Sequence, residues 1–307
     1  MNRLDMLPPL SDIVAHDAVP GDRSIGGILI DAGRLTPEDA EYIQRFQKER
    51  GIRFGEAAVA LGLLSREDIR FALARQFDFP CISGDDTRLD RTLVAAYRPD
   101  TPIVEQLRAL RSQLVLRWFE AAPAARRSAH STNSAHKVLA VVSPGRKDGR
   151  SFIAANLAIV FSQLGERTLL IDADLRDPSQ HRLFALGSGP GLSGMLSGRA
   201  GGEAIVRAPG LRSLSILPAG PLPPNPQELL SRSTFSEVLD TAARHHDVVL
   251  IDTPAASESA DALTVAIRAG GALMVARKHH SSLPGFRTLA RHLQASCAVV
   301  GSVMNDA

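Results

Sequence analysis

The chain is poor in cysteine, with only Cys81 and Cys297 among 307 residues. Two thiols build neither a disulfide framework nor a zinc site, so both read as ordinary buried thiols. No apolar run approaches the ~18 residues that a membrane span needs. The opening stretch, MNRLDMLPPL, has no apolar core followed by a small-residue cleavage site; no secretory signal is read, and a cytoplasmic protein is expected. An excess of charge is missing too: 35 Lys+Arg against 33 Asp+Glu leave a formal net charge of +2, without the basic stripe of a nucleic-acid binder. What is present is ordinary. Hydrophobic residues at 44% and charged residues at 22% exclude wholesale disorder and a collagen-like chain. The length gives room for two domains or one large one, at roughly 100–200 residues each.

Texture divides the chain into four stretches. Residues 1–22 hold Pro and Asp with few apolar pairs, and read as a flexible tail. Residues 23–80 are compact and periodic. Residues 81–136 join a punctuated stretch and a helix to the run from Ala121 to His136, which has almost nothing large to bury and reads as a linker. Residues 137–307 alternate apolar strands with helices, the strands being Val138–Ser143, Thr168–Asp172, Leu214–Leu217, Val248–Asp252, Ala272–Ala276 and Ala298–Met304. Near-continuous apolar strands between helices predict an α/β domain whose parallel sheet is covered on both faces.

The stretch 23–80 repeats itself. Gly26 and Gly55, Gly33 and Gly62, and Gln47 and Gln76 recur at one offset of 29 residues. Each copy predicts a short helix closed by a left-handed glycine (Gly33, Gly62), then a second helix capped by Thr36 or Ser65 with acids in its first turn. A repeat that cannot bury its face alone packs against its twin. The pattern resembles the MshEN-type domain at the N-termini of secretion and pilus ATPases, whose motif binds cyclic di-GMP. That resemblance implies ligand contacts on Arg53, Gly55, Gly62 and Gln76 in the second copy and on Gly26, Gly33 and Gln47 in the first, where Ser24 stands in the arginine's place. Glycines let a backbone approach a flat dinucleotide, and arginine pairs with phosphate or guanine edges. The alternative is a protein-docking module whose glycines only cap helices.

The chemistry concentrates in the C-terminal stretch. A strand runs into Ser143-Pro-Gly-Arg-Lys-Asp-Gly-Arg-Ser-Phe152 and then a helix, the strand–loop–helix context of a phosphate-binding loop. Loop amides and the helix N-terminus hold phosphate oxygens. Gly145, Gly149, Arg150, Ser151 and Phe152 are the candidate nucleotide contacts, with the Ser151 hydroxyl standing where magnesium is ligated. Arg150 replaces the usual lysine, and Pro144 the first glycine. Asp172 and Asp174 close one buried strand and Asp252 another. Strand C-termini of a parallel sheet gather on one edge, where such acids hold magnesium or accept a proton; capping the next helix is the alternative for any one of them. The paired histidines, His245–His246 and His279–His280, point apart on a helix and read as solvated.

These motifs, in this order, resemble the bacterial tyrosine kinases (BY-kinases) of capsule and exopolysaccharide synthesis, relatives of the ParA/MinD ATPases. The segment Pro218–Leu230 and the E-x-x-R-x-x-R helix of Glu105, Arg108 and Arg111 are further marks of that group. Together with the N-terminal repeat, the pattern is most similar to the EpsG type of chain-length-determinant kinase. The resemblance implies a P-loop NTPase fold and transfer of the ATP γ-phosphoryl group to tyrosine. Asp172, Asp174, Asp252 and Arg150 would be catalytic, and Ser151, Asp172 and Asp252 would hold Mg2+. It also implies a homo-oligomeric ring closed through Glu105, Arg108 and Arg111, no nucleic acid, and a separate transmembrane polysaccharide co-polymerase that keeps the protein peripheral at the inner membrane. The family's terminal tyrosine cluster is absent: the only tyrosines are Tyr42 and Tyr97, of which Tyr97, beside Pro99, reads as the more accessible acceptor. Arg150 and the missing cluster keep a second reading open, a non-kinase ATP switch gating assembly of the polysaccharide machinery. A ParA/MinD-like positioning ATPase is the weaker third, since its signature lysine is missing.

Overall fold

A computed structural model describes residues 24–77, 82, 89–120 and 135–306. The tail read over 1–22, the greater part of the low-complexity run (121–134) and Cys81 lie outside the described residues. Contacts divide the chain into two units, 1–79 and 80–307.

The first unit consists of four helices: α1 (Ile25–Asp31), α2 (Pro37–Arg50), α3 (Phe54–Ala60) and α4 (Arg66–Gln76). Helices α3 and α4 begin 29 residues after α1 and α2, so the sequence repeat is a repeat of structure. Caps set the starts. The Ser24, Thr36 and Ser65 hydroxyls accept the N–H groups of Gly27, Asp39 and Asp68, which the first turn would otherwise leave unpaired. Gly33 and Gly62 end the short helices at φ 67° and 69°, the left-handed geometry glycine adopts without steric cost. Leu29, Ile43, Ala57, Ala58 and Ala72 are fully buried between the copies, and an ion pair from Arg34 to Asp68 at 2.8 Å joins them.

The second unit opens with α5 (Val94–Tyr97) and α6 (Pro102–Leu114), the latter running into a π-turn over Val115–Phe119. The α/β pattern comes next: β1 (Val138–Val142), α7 (Arg150–Gln163), β2 (Thr168–Asp172), α8 (Gln180–Leu183), α9 (Gly191–Leu196), β3 (Val206–Arg207) and β4 (Leu214–Leu217). It continues with α10 (Pro226–Ser231), α11 (Ser233–His245), β5 (Val248–Asp252), α12 (Asp261–Ala269), β6 (Gly271–Arg277), α13 (Leu283–Gln294) and β7 (Ala298–Asn305). The strands form one sheet in the order β3-β4-β2-β5-β1-β6-β7, parallel except for the β3–β4 pair. The chain is thus an α/β protein with a mainly parallel sheet. Strand β3 leaves no mark in the sequence, because two exposed residues carry no periodicity.

Every residue of β1, β2 and β5 is buried, as strands covered on both faces must be. Leu139 and Val141 face a core built with α5, α6 and α7, whereas Val138, Ala140 and Val142 face α11, α12 and α13. Trp118 anchors the segment after α6, with its indole N–H donating to the Val138 carbonyl at 3.1 Å. The Pro218–Leu230 segment turns at Gly220 (φ 79°), where it lies so close to Pro190 that only glycine fits.

Candidate active site

Parallel pairing delivers the acids together. Asp172 and Asp252 are register partners at the ends of β2 and β5, and both are fully buried. Burial first, then the facing charge of Asp252, pushes Asp172 well above the usual carboxylate range. Burial also raises Asp252, while the Arg150 guanidinium and hydrogen bonds from Gln180 and Ser151 pull the other way.

Asp172 also caps the turn between β2 and α8. The N–H of Asp174 reaches its Oδ1 at 3.2 Å, and those of Ser179 and Gln180 reach its Oδ2 at 3.0 and 2.9 Å. Asp252 differs: Gln180 Nε2 donates to Oδ2 at 2.7 Å, while its buried Oδ1 has no hydrogen-bond partner among the described residues. Asp174 accepts the N–H groups of Arg176 and Asp177 on Oδ1, at 3.2 and 2.9 Å, and turns Oδ2 toward Arg150 at 4.0 Å.

The loop after β1 takes its shape from its own side chains. Gly149 (φ 96°) caps α7, and a β-carbon there would run into Asn305. Arg150, the first residue of α7, is buried and folds back over the loop. Its Nε donates to the Thr253 carbonyl at 2.8 Å, and its Nη1 donates to Ser143 Oγ at 2.6 Å and to the Gly145 carbonyl at 2.8 Å. Ser151 lies beside Asp252 and helps hold that carboxyl down. Phe152 packs against the core, which leaves its backbone N–H as the group available to a phosphate. Arg146 spans the loop's outer side, bonding Asp177 at 2.6 Å and Glu258 at 2.5 Å.

Sequence reasoning missed Gln180, which touches both acids and the Ser151 carbonyl. It also missed Asp148, Thr253 and Asn305. Thr253 reaches the Val141 carbonyl, Asn305 the Asp148 carbonyl and Ser281 the Asp148 carboxylate only through the fold, so no local spacing marks them.

In α6, Glu105 and Arg108 pair with each other, whereas Arg111 turns inward and donates to the Val160 carbonyl at 2.9 Å, in the last turn of α7. Burial, with the neighbouring Arg108 second, lowers its pKa. Tyrosine accessibility reverses the sequence expectation. Tyr97 is buried, and its hydroxyl donates to the Leu89 carbonyl and accepts the Leu89 N–H; Tyr42, in α2, is 49% exposed.

The helical unit sorts the dinucleotide candidates into two clefts. Gly26, Gln47 and Gln76 line a cavity of about 370 Å³. Arg53 and Gly55 line one of about 600 Å³. Gly33 and Gly62 sit in turns and line neither. Gly26 and Gly55 also serve packing: a β-carbon would meet Phe54 at 3.4 Å and Ile69 at 3.0 Å.

No protein-family profile matches the chain. It is 34% identical over 189 residues to the tyrosine-protein kinase YwqD of Bacillus subtilis, a match covering 62% of this chain and 74% of that one. It is 33% identical over 215 residues to the tyrosine-protein kinase Wzc of Salmonella typhimurium, covering 70% of this chain and 28% of that one. Among solved structures, the kinase domain of the Escherichia coli tyrosine kinase ETK superposes with a TM-score of 0.62 at 29% identity, over 72% of this chain and 82% of that one. The chain spans about a quarter of the length of the longer relatives it matches.

Proposed function

The chain belongs to the family of bacterial tyrosine-protein kinases, and we propose that its α/β unit transfers the γ-phosphoryl group of ATP to a tyrosine hydroxyl. The observation that carries this reading is the in-register pair Asp172–Asp252 beside the Ser151 hydroxyl, with one buried Asp252 oxygen unpartnered among the described residues. Two buried carboxylates whose pKa values are raised are sites that a cation would relieve. Among the described residues no three carboxylate, imidazole or thiolate side chains gather to form a metal cage. Sparse protein ligation, completed by phosphate and water, suits Mg2+. Ser151, Asp172 and Asp252 would hold it, and when bound it would neutralise charge on the transferred phosphoryl group.

The protein's own groups supply position and charge. Amides of Gly149, Arg150, Ser151 and Phe152 at the start of α7 bind phosphate oxygens. Arg150 keeps the cation of the missing lysine within the loop. Asp174, whose Oδ1 takes the backbone amides while its Oδ2 turns toward Arg150, accepts the phenolic proton. Glu105, Arg108 and Arg111 are the candidate ring contacts. Among the described residues no helix is long and apolar enough to cross a membrane. A separate membrane-spanning co-polymerase, with this chain cytoplasmic and peripheral, completes the reading as a regulator of exopolysaccharide polymerisation and export of the EpsG type.

The substrate tyrosine belongs to another protein or is Tyr42, since Tyr97 is locked in the core. The test is incubation with Mg·ATP and a Glu/Tyr copolymer, read by phosphotyrosine blotting; a signal lost in Asp252→Asn supports the kinase. One observation favours the second reading, an ATP switch: Arg150 is engaged by Ser143, Gly145 and Thr253. Release of ADP without phosphotyrosine, on the copolymer or the chain, would establish that reading and sink the kinase. For the helical unit we propose cyclic di-GMP binding in the clefts of Gly26, Gln47, Gln76, Arg53 and Gly55, within an MshEN-like fold. Calorimetric titration of the full chain tests this, and a flat thermogram refutes it.

A further inference from the structure

One carboxylate of the phosphate loop takes no part in the proposed transfer. Asp148, just before Gly149, is fully buried. Its Oδ2 accepts the Gly145 N–H at 2.7 Å, and its Oδ1 accepts the Ser281 hydroxyl at 2.5 Å. The Gly145 peptide is gripped at its other end too, where the carbonyl receives Ser143 Oγ and Arg150 Nη1, both at 2.8 Å. Between Gly145 and Asp148 the chain makes a strained turn: Lys147 sits at φ 59°, a left-handed conformation that a β-carbon disfavours. That turn is fastened from outside as well. Arg277 Nη1 donates to the Lys147 carbonyl at 3.3 Å and Asn305 Nδ2 to the Asp148 carbonyl at 3.1 Å. Ser281 is itself held, accepting the Arg277 N–H at 2.7 Å.

An anion inside an anion-binding loop needs a reason. Here each carboxylate oxygen is committed to a short hydrogen bond, and charge-assisted bonds of this kind are the strong ones. We propose that Asp148 is a positioning residue for phosphate binding: it clasps the Gly145 N–H, closes the turn 145–148, and so holds the remaining amides of the loop and of the start of α7 in the arrangement that receives phosphate. Ser281, from the turn after β6, keeps the clasp oriented. Preorganisation of this sort acts on affinity, since a loose loop must be ordered on binding. The inference rests on the nucleotide reading of the loop and extends it to a residue and a turn outside the motif.

The test is calorimetric titration of Mg·ADP into the full chain and its variants. Removing a hydrogen bond to a charged group predicts about tenfold weaker binding for Asp148→Ala, and a smaller, about threefold loss for Ser281→Ala. Asp148→Asn keeps an acceptor for Gly145 and stays within about twofold of wild type. In turnover assays the loss falls on KM for ATP while kcat at saturation holds, a split that general unfolding would not produce. If Asp148→Ala does not fold, Ser281→Ala and Asp148→Asn carry the comparison. Binding by Asp148→Ala as tight as wild type or tighter overturns the clasp, and so does a loss in Asp148→Asn equal to that in Asp148→Ala. If wild type itself binds no Mg·ADP, the nucleotide reading falls and takes this inference with it, an outcome separate from a change confined to the variants.

Discussion

Asp172 and Asp252 face each other at paired strand ends, fully buried, and the consequence can be measured. A carboxyl whose folded pKa lies above its unfolded value, about 3.9, holds its proton more tightly when folded. Stability therefore falls as pH rises from about 4 through the folded pKa of Asp172. Asp252→Asn removes the facing charge, keeps an acceptor for Gln180 and presents an amide in place of the unpartnered oxygen. In metal-free buffer it should melt higher than wild type at neutral pH, with a shallower decline from pH 4 to 8, while turnover drops about a hundredfold or more. A lower melting temperature across that range would show that the pair is not repulsive. The acids were legible in the sequence because an apolar strand ending in Asp is a local pattern. Gln180 was not, because it reaches Asp252 only through the fold, and Asp148 was not, because its bond to Gly145 is fixed by Ser281, which the fold brings to its other oxygen.

Among elements, the join between β6 and the segment after α6 is unforgiving. A β-carbon on Gly271, at the start of β6, would stand 2.5 Å from the Trp118 ring. The indole cannot yield without leaving the Val138 carbonyl. Gly271→Ala should therefore cost about 1–3 kcal/mol, a fall of roughly 2–4 °C per kcal/mol for a unit of this size, read by calorimetric melting; an unchanged melting temperature would place slack where the geometry has none. Element types came readily from the sequence, since fully buried strands and capped helices carry strong patterns. The 29-residue offset predicted both the paired helices and the left-handed glycines. Gly26 and Gly55 fit that pattern equally well for a different reason, close packing against Phe54 and Ile69, which spacing alone does not distinguish from ligand approach.

At the scale of the molecule, alternation of strand and helix announced a parallel sheet but not its order. The strand that comes after four others in sequence, β5, lies between β1 and β2, and only that insertion turns Asp172 and Asp252 into neighbours. The misjudged exposure of Tyr97 has a similar origin: Leu89, which takes up its hydroxyl, is near in sequence, but the core that buries its ring is assembled from α6, α7 and β1. Strand insertion also governs how the protein comes into being. Helices α1 to α4 meet through short loops, whereas β1 must wait for β5, pairing Val138 with Val249, and such distant closures are slow. After dilution from denaturant, ellipticity should return in an early phase and affinity for nucleotide in a later one, because Asp172 gains its facing partner Asp252 only when β5 has inserted beside β2.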